Sequence, residues 1–94
     1  MSLIRSQVEI VNEHGLHFRA ASRFIQLAQR FRADVRVALE NKAVNGKSIL
    51  DLATLAAARG ARLDLEADGP DAEAAILALS ELVKAHFFEA EEVA

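Results

Sequence analysis

Over residues 4–11 the chain alternates. Ile4, Val8 and Ile10 fall on one side and Arg5, Gln7 and Glu9 on the other, which predicts a half-buried strand. The period then changes to that of a helix over Phe18 to Arg30, with an apolar stripe at Ala21, Phe24, Ile25 and Ala28 that runs on to Phe31. Residues 34–40 return to strict alternation and predict a second strand, and Asn41-Lys42 supplies a tight turn into a short third strand around Ala43-Val44. Asn45-Gly46-Lys47 interrupts the pattern, and a second helix opens at Ser48. Its apolar residues are Ile49, Leu52, Ala53 and Ala56, and Gly60 is its predicted stop. Ser48 and Asp51 have the spacing of a capping box, the hydroxyl accepting one orphan N–H and the carboxylate reaching back to another. Arg62 to Asp68 alternates again, with Leu63, Leu65 and Ala67 inward. Gly69-Pro70-Asp71 starts a third helix with proline at its first position, Asp71 and Glu73 in its first turn, and a stripe of Ala72, Ala75, Ile76, Leu79, Leu82, Val83 and Phe87. Glu89 to Ala94 is acidic and is predicted to fray.

The order β-α-β-β-α-β-α, with strands that are polar on one face, predicts an α+β fold. We expect an open-faced β-sandwich in which a four-stranded, mainly antiparallel sheet carries three helices on one face. The ferredoxin-like split βαβ arrangement shares most of this order, so the pattern leaves strand order open. With 94 residues and no linker, repeat or low-complexity tract, residues 1–94 are expected to form a single domain.

Composition narrows the chemistry. There is no cysteine, which excludes disulfides and thiolate chemistry and suits a reducing compartment. No N-terminal signal pattern or bilayer-length apolar run is present, so the expected location is cytoplasmic, with no membrane partner. Charge is unevenly placed. Residues 1–47 carry eight Lys/Arg against four acids, and residues 48–94 carry three against ten. The basic half favours an anionic group or an acidic protein surface. A pI near 5.5 and the lack of aromatic residues on the predicted strands argue against nucleic acid.

The basic half also holds Gly15-Leu16-His17-Phe18-Arg19, at a strand-to-helix corner. Unpaired N–H groups and a partial positive charge at a helix start suit a phosphate, and they favour neutral, nucleophilic imidazole. Arg19 is placed to clamp an anion acquired by His17. A lone histidine beside an apolar segment is more often structural than reactive, and this alternative stands beside the first. Other sites are weaker. Gly46-Lys47-Ser48 lacks the glycine that a P-loop needs at position 41, where Asn41 stands. His14 and His17 lack the further ligands that zinc requires, so neither metal nor cofactor is expected, and His14 reads as a turn residue at the rim. His86 reads as a residue at the end of the third helix, interacting with its carbonyls.

The corner resembles the active-site signature of the HPr family, the phosphocarrier proteins of the bacterial phosphoenolpyruvate-dependent phosphotransferase system, usually Gly-Leu-His-Ala-Arg-Pro-Ala. Asn45-Gly46-Lys47-Ser48-Ile49-Leu50 and Gly69-Pro70-Asp71-Ala72-Glu73 are similar to the family as well, so the resemblance spans nearly the whole chain. It implies an HPr-like domain whose His17 accepts a phosphoryl group from phosphorylated enzyme I and donates it to an enzyme IIA, Arg19 neutralising the phosphoryl oxygens. Such a protein is a monomeric relay and not an autonomous enzyme. The resemblance further implies a docking face, to which we assign Phe18, Ser48, Ile49 and Leu50. The alternative is an HPr-like regulatory module that binds partners in a phosphorylation-dependent way without feeding sugar transport.

Two residues depart from the signature. Phe18 replaces a small residue, and Ala20 stands where proline is usual, which looks more like the nitrogen-branch carriers (NPr). In some HPr proteins the serine matching Ser48 is phosphorylated by a serine kinase and cleared by a phosphorylase, which marks it as a candidate regulatory site. Capping alone accounts for a serine here, and the carboxylate of Asp51 opposes a phosphate three residues away.

Overall fold

The computed structural model describes residues 3–89. Strand β1 (Leu3–Glu9) leads into helix α1 (Phe18–Ala28), strands β2 (Asp34–Leu39) and β3 (Lys42–Asn45), helix α2 (Ile49–Thr54), strand β4 (Arg62–Asp68) and helix α3 (Ala72–Lys84). A one-turn 3-10 segment, His86–Phe88, closes the described chain. The strands form one antiparallel sheet in the order β1-β4-β2-β3. This supplies the strand order that periodicity left open. The chain fold is the expected α+β arrangement with three helices on one face.

Alternation sets the layers. Val8, Val35, Val37, Leu63, Leu65 and Ala67 turn inward and are buried. On the other face, polar cross-strand pairs line up, Arg5 Nε donating to Glu66 at 2.8 Å and Gln7 Nε2 to Asp64 at 3.1 Å. Helix α3 lies over β1 and β4, and α1 packs against α2 and α3. The full predicted stripe of α3 is buried, and Phe87 continues it beyond the helix end. In α1 the buried residues are Ala20, Ala21, Phe24 and Ala28.

Several local expectations are corrected. The β2–β3 hairpin turns at Glu40-Asn41, one residue earlier than predicted, because Leu39 pairs with Lys42 and Glu40 takes the left-handed conformation at φ 55°. Helix α2 ends at Thr54, well before Gly60. Ala53 and Ala56 are exposed, while Leu55 and Ala57 are buried. An alanine-rich apolar run carries no periodic signal strong enough to tell helix from extended chain.

The capping box is only half formed. Ser48 Oγ accepts the N–H of Asp51 at 3.2 Å, but Asp51 Oδ2 accepts from Asn45 N–H at 3.3 Å and not from Ser48. Pro70 precedes the N-cap of α3, which is Asp71, and the Asp71 carboxylate does not cap its own helix. Its two oxygens accept the N–H groups of Arg32 and Ala33, each at 2.8 Å, tying the α1–β2 connection to the start of α3. Of the predicted acidic tail, Glu89 is ordered against the domain, and residues 90–94 lie outside the described chain.

The Arg32 N–H bond holds the Asp71 carboxyl below the ordinary carboxylate range. Burial opposes this, and the N–H groups of Ala33 and of Asp71 itself, with the Lys47 charge, add to it. A carboxyl lowered on folding contributes stability above its unfolded pKa of about 4 and loses it as pH falls through the folded value. Asp71→Asn is therefore expected to lower stability at neutral pH and to flatten the loss of stability below about pH 4. Chemical unfolding at a series of pH values checks both effects.

Candidate functional site

The chain leaves β1, turns at residues 12–16 and enters α1 at His17, which is the helix N-cap (φ −76°, ψ 178°). Gly15 makes this corner possible. It takes φ +67°, and a Cβ there would stand 2.5 Å from the Ala57 carbonyl oxygen and 2.9 Å from Ala58 Cα. Leu16 N–H donates to that same carbonyl at 2.9 Å. The backbone of residues 57–58 thus fixes the corner from outside, with buried Leu16 anchoring it from within.

Both ring nitrogens of His17 are engaged. Nδ1 accepts the N–H of Arg19 at 3.2 Å, one of the donors that the first turn of α1 leaves without a partner inside the helix. Nε2 lies 2.6 Å from Glu89 Oε2. Glu89's other oxygen accepts from Asn12 Nδ2 at 2.7 Å, and the same amide nitrogen donates to the Gly15 carbonyl at 2.7 Å. Burial by itself raises the Glu89 carboxyl. Hydrogen bonds from His17 and Asn12, with electrostatic attraction to the His17 ring and the Arg23 charge, outweigh it and hold the group below its ordinary range. An ionised carboxylate can only accept, so the Nε2 atom carries the proton and Nδ1 keeps the lone pair.

An open cleft of about 730 Å³ surrounds the ring. His14 stands edge-on to His17 with ring centroids 6.0 Å apart, at the rim as expected. Arg19, Arg23, Arg59, His86 and Phe18 also line the cleft. Arg23 is committed to the Phe87 carbonyl at 2.9 Å, whereas the guanidinium of Arg19 has no hydrogen bond or ion pair among the described residues. His86 lies past the end of α3, in the left-handed conformation, on the same cleft.

The expected site residues separate into two groups. His17, Phe18 and Arg19 share the cleft, and Phe18 is 75% exposed. Ser48, Ile49 and Leu50 lie outside it, on α2. Ser48 is half-buried as the helix cap, Ile49 is half-buried against the core, and Leu50 is 78% exposed. Ala20 is fully buried, so its difference from proline does not reach the surface. Sequence reasoning missed Glu89, Asn12, Arg23 and Arg59 as parts of this site. A polar Asn12 directly after the predicted strand was a signal for a buried turn residue, and Arg23 follows Arg19 by four residues on one helix face; Glu89 and Arg59 are brought in by long-range packing.

Known proteins resolve the family. The family model described as "PTS HPr component phosphorylation site" matches residues 4–85. The chain belongs to the HPr family. It is 43% identical over 89 residues to the phosphocarrier protein HPr of Neisseria meningitidis serogroup A, covering 95% of this chain and all of that one. The HPr of Pseudomonas aeruginosa is 40% identical over 86 residues, covering 90% of this chain and 96% of the other. A crystal structure of HPr from Thermoanaerobacter tengcongensis superimposes with a TM-score of 0.89 at 39% identity, covering 94% and 99% of the two chains. This HPr-family chain is accordingly a phosphocarrier of the phosphotransferase system, and no helix among its described residues is long and apolar enough to cross a membrane.

The corner's geometry has a direct consequence for stability. Gly15→Ala places a Cβ against backbone in a conformation that L residues rarely adopt, and is expected to cost about 1–3 kcal/mol. The shift of the urea unfolding midpoint measures it.

Proposed function

We propose that His17 is the phosphoryl acceptor, through Nδ1, and that it receives the group from phosphorylated enzyme I and passes it to an enzyme IIA. The observation that carries this reading is the orientation of the ring, with its lone pair at the N-terminus of α1 and its proton held on the opposite side. A phosphoryl group on Nδ1 replaces the 3.2 Å contact to Arg19 N–H, and its oxygens then take the N–H donors of the first turn. The Arg19 guanidinium, without a partner among the described residues, stands on the same cleft and supplies the charge that a gained dianion requires. The protein acts here as a relay, the donor and acceptor proteins supplying the remainder of each transfer site, and a cytoplasmic location follows from those partners.

Incubation with enzyme I and phosphoenolpyruvate is expected to leave an acid-labile, alkali-stable phosphoryl adduct on the wild-type protein and none on His17→Ala. Label persisting in that variant would falsify the assignment.

The docking face we infer centres on Phe18 and Leu50, the two large apolar residues exposed on α1 and α2, with Phe18 lining the cleft beside Arg19 and His17. Leu50→Glu is expected to slow transfer at least tenfold, a change of about 1.4 kcal/mol, while the thermal midpoint stays within a few degrees of wild type. Transfer kinetics and a melting curve together check this.

A second reading has one observation in its favour. The chain is also similar to Crh from Bacillus subtilis, described as a catabolite repression protein, with a TM-score of 0.73 at 36% identity over 88% of this chain and 95% of that one. On that reading the phosphorylated form binds regulatory partners without feeding transport, and Ser48 is a site for a serine kinase. The nearby Asp51 carboxylate weighs against a phosphate there. Passage of label from the carrier to an enzyme IIA of a sugar permease separates the two.

A further inference from the structure

We infer that Glu89 is a positioning residue for His17, its carboxylate holding the ring proton on Nε2 and balancing the positive charge that the ring gains when Nδ1 takes a phosphoryl group. This rests on the carrier reading and deepens it.

The geometry is that of a carboxylate–imidazole pair aimed at a nucleophile. Glu89 Oε2 is 2.6 Å from Nε2, and Oε1 is fixed by the buried Asn12 amide at 2.7 Å, so the carboxylate is itself oriented. Asn12 ties this acceptor to the catalytic corner, since it also holds the Gly15 carbonyl. The side chains of His17 and Glu89 are 28% and 18% exposed, which limits screening of their interaction.

In the transfer, the Nδ1 lone pair forms the new bond to phosphorus while the bond from phosphorus to the donor breaks, and the donor's leaving atom keeps that electron pair. The Nε2 proton stays in place, so the ring becomes a cation and the Nε2–H···carboxylate hydrogen bond becomes charged at both ends. Only a group that already faces Nε2 can strengthen in this way without reorganising, which makes the interaction larger in the transition state than in the resting protein.

The arm that carries Glu89 is built for this placement. His86, Phe87 and Phe88 all take left-handed conformations, at φ 57°, 56° and 59°. Such a run costs free energy at each non-glycine residue. It persists here because Phe87 is fully buried and its carbonyl accepts from Arg23 Nη1 at 2.9 Å. The turn redirects the chain after α3 and brings the Glu89 carboxylate to Nε2. An ordinary continuation of the helix would carry it away.

Two variants separate orientation from charge. Glu89→Gln can still accept the Nε2–H through its amide oxygen but carries no charge, whereas Glu89→Ala offers neither. Nitrogen-15 spectra of the unphosphorylated histidine ring are expected to show the Nε2–H tautomer predominant in the wild type and in Glu89→Gln, and a mixture of tautomers in Glu89→Ala. Single-turnover phosphorylation by phosphorylated enzyme I is expected to slow roughly tenfold to a hundredfold in both variants, the range expected for loss of a charge-assisted hydrogen bond. Amide spectra matching the wild type away from residues 12–17 and 86–89 confirm that the fold is retained. Wild-type transfer rates in both variants, or an unchanged tautomer ratio in Glu89→Ala, overturn the inference. If instead the wild-type protein accepts no phosphoryl group, the carrier reading fails, and the ring spectra still decide whether Glu89 sets the tautomer.

Discussion

The site depends on one close passage of backbone against backbone. Beyond the last β1–β4 pair, Ile10 and residues 60–61 continue to exchange bonds, Ile10 N–H to Ala61 carbonyl and Gly60 N–H to Ile10 carbonyl, each at 2.8 Å. The two segments then separate only far enough for Leu16 N–H to meet the Ala57 carbonyl. The absence of a side chain at Gly15 is what permits that approach. The same constraint shortens α2. Had the helix run to Gly60, residues 57–58 would have followed its axis, and the corner that carries His17 would have lost its external support. Instead the chain leaves helical geometry after the C-cap Leu55, Ala56 turns left-handed at φ 49°, and residues 57–61 become a strut whose exposed Arg59 reaches the cleft.

The second support comes from the far end of the chain. A left-handed stretch of three residues costs about 3–6 kcal/mol at roughly 1–2 kcal/mol each. Burial of Phe87 returns about 1.5–3 kcal/mol, and a hydrogen bond involving a charged group about 1.5–3 more. The balance is near zero, so the arm persists through its contacts and not through its own preference. Its strain and its placement of Glu89 are therefore two aspects of one feature.

The alternating strands, the stripes of α1 and α3 and the strand-to-helix corner were legible because each rests on local period or local turn chemistry. Leu63, Leu65 and Ala67 could be assigned inward from β4 alone. The end of α2 was not legible, since Leu52 to Ala58 is apolar but for Thr54 and only the distant corner decides where the helix stops. The role of Asp71 was misread for a related reason. Its spacing suits a helix start, but the N–H groups it satisfies belong to Arg32 and Ala33, some 38 residues earlier. Glu89 was assigned to a fraying acidic tail because nothing in its neighbours signals a left-handed turn. Phe87 had already been read as the last residue of an apolar stripe, and an anchored phenylalanine two residues before a carboxylate was the one available hint.

These supports treat the two sides of the His17 ring differently, and the difference suits a carrier. The Nε2 side is held by a short bond to an ionised partner that is itself hydrogen-bonded, the stronger class of interaction. The Nδ1 side is held by one 3.2 Å bond from a backbone N–H, of a kind whose net contribution is only about 0.5–1.5 kcal/mol. The contact at the lone pair can be surrendered at little cost while the opposite contact keeps the ring in place. A group that must be gained and released repeatedly benefits from that asymmetry. With Nδ1 as the proposed acceptor, a firm bond there would raise the barrier to loading, and a loose ring would spread the lone pair over orientations that miss the Arg19 N–H.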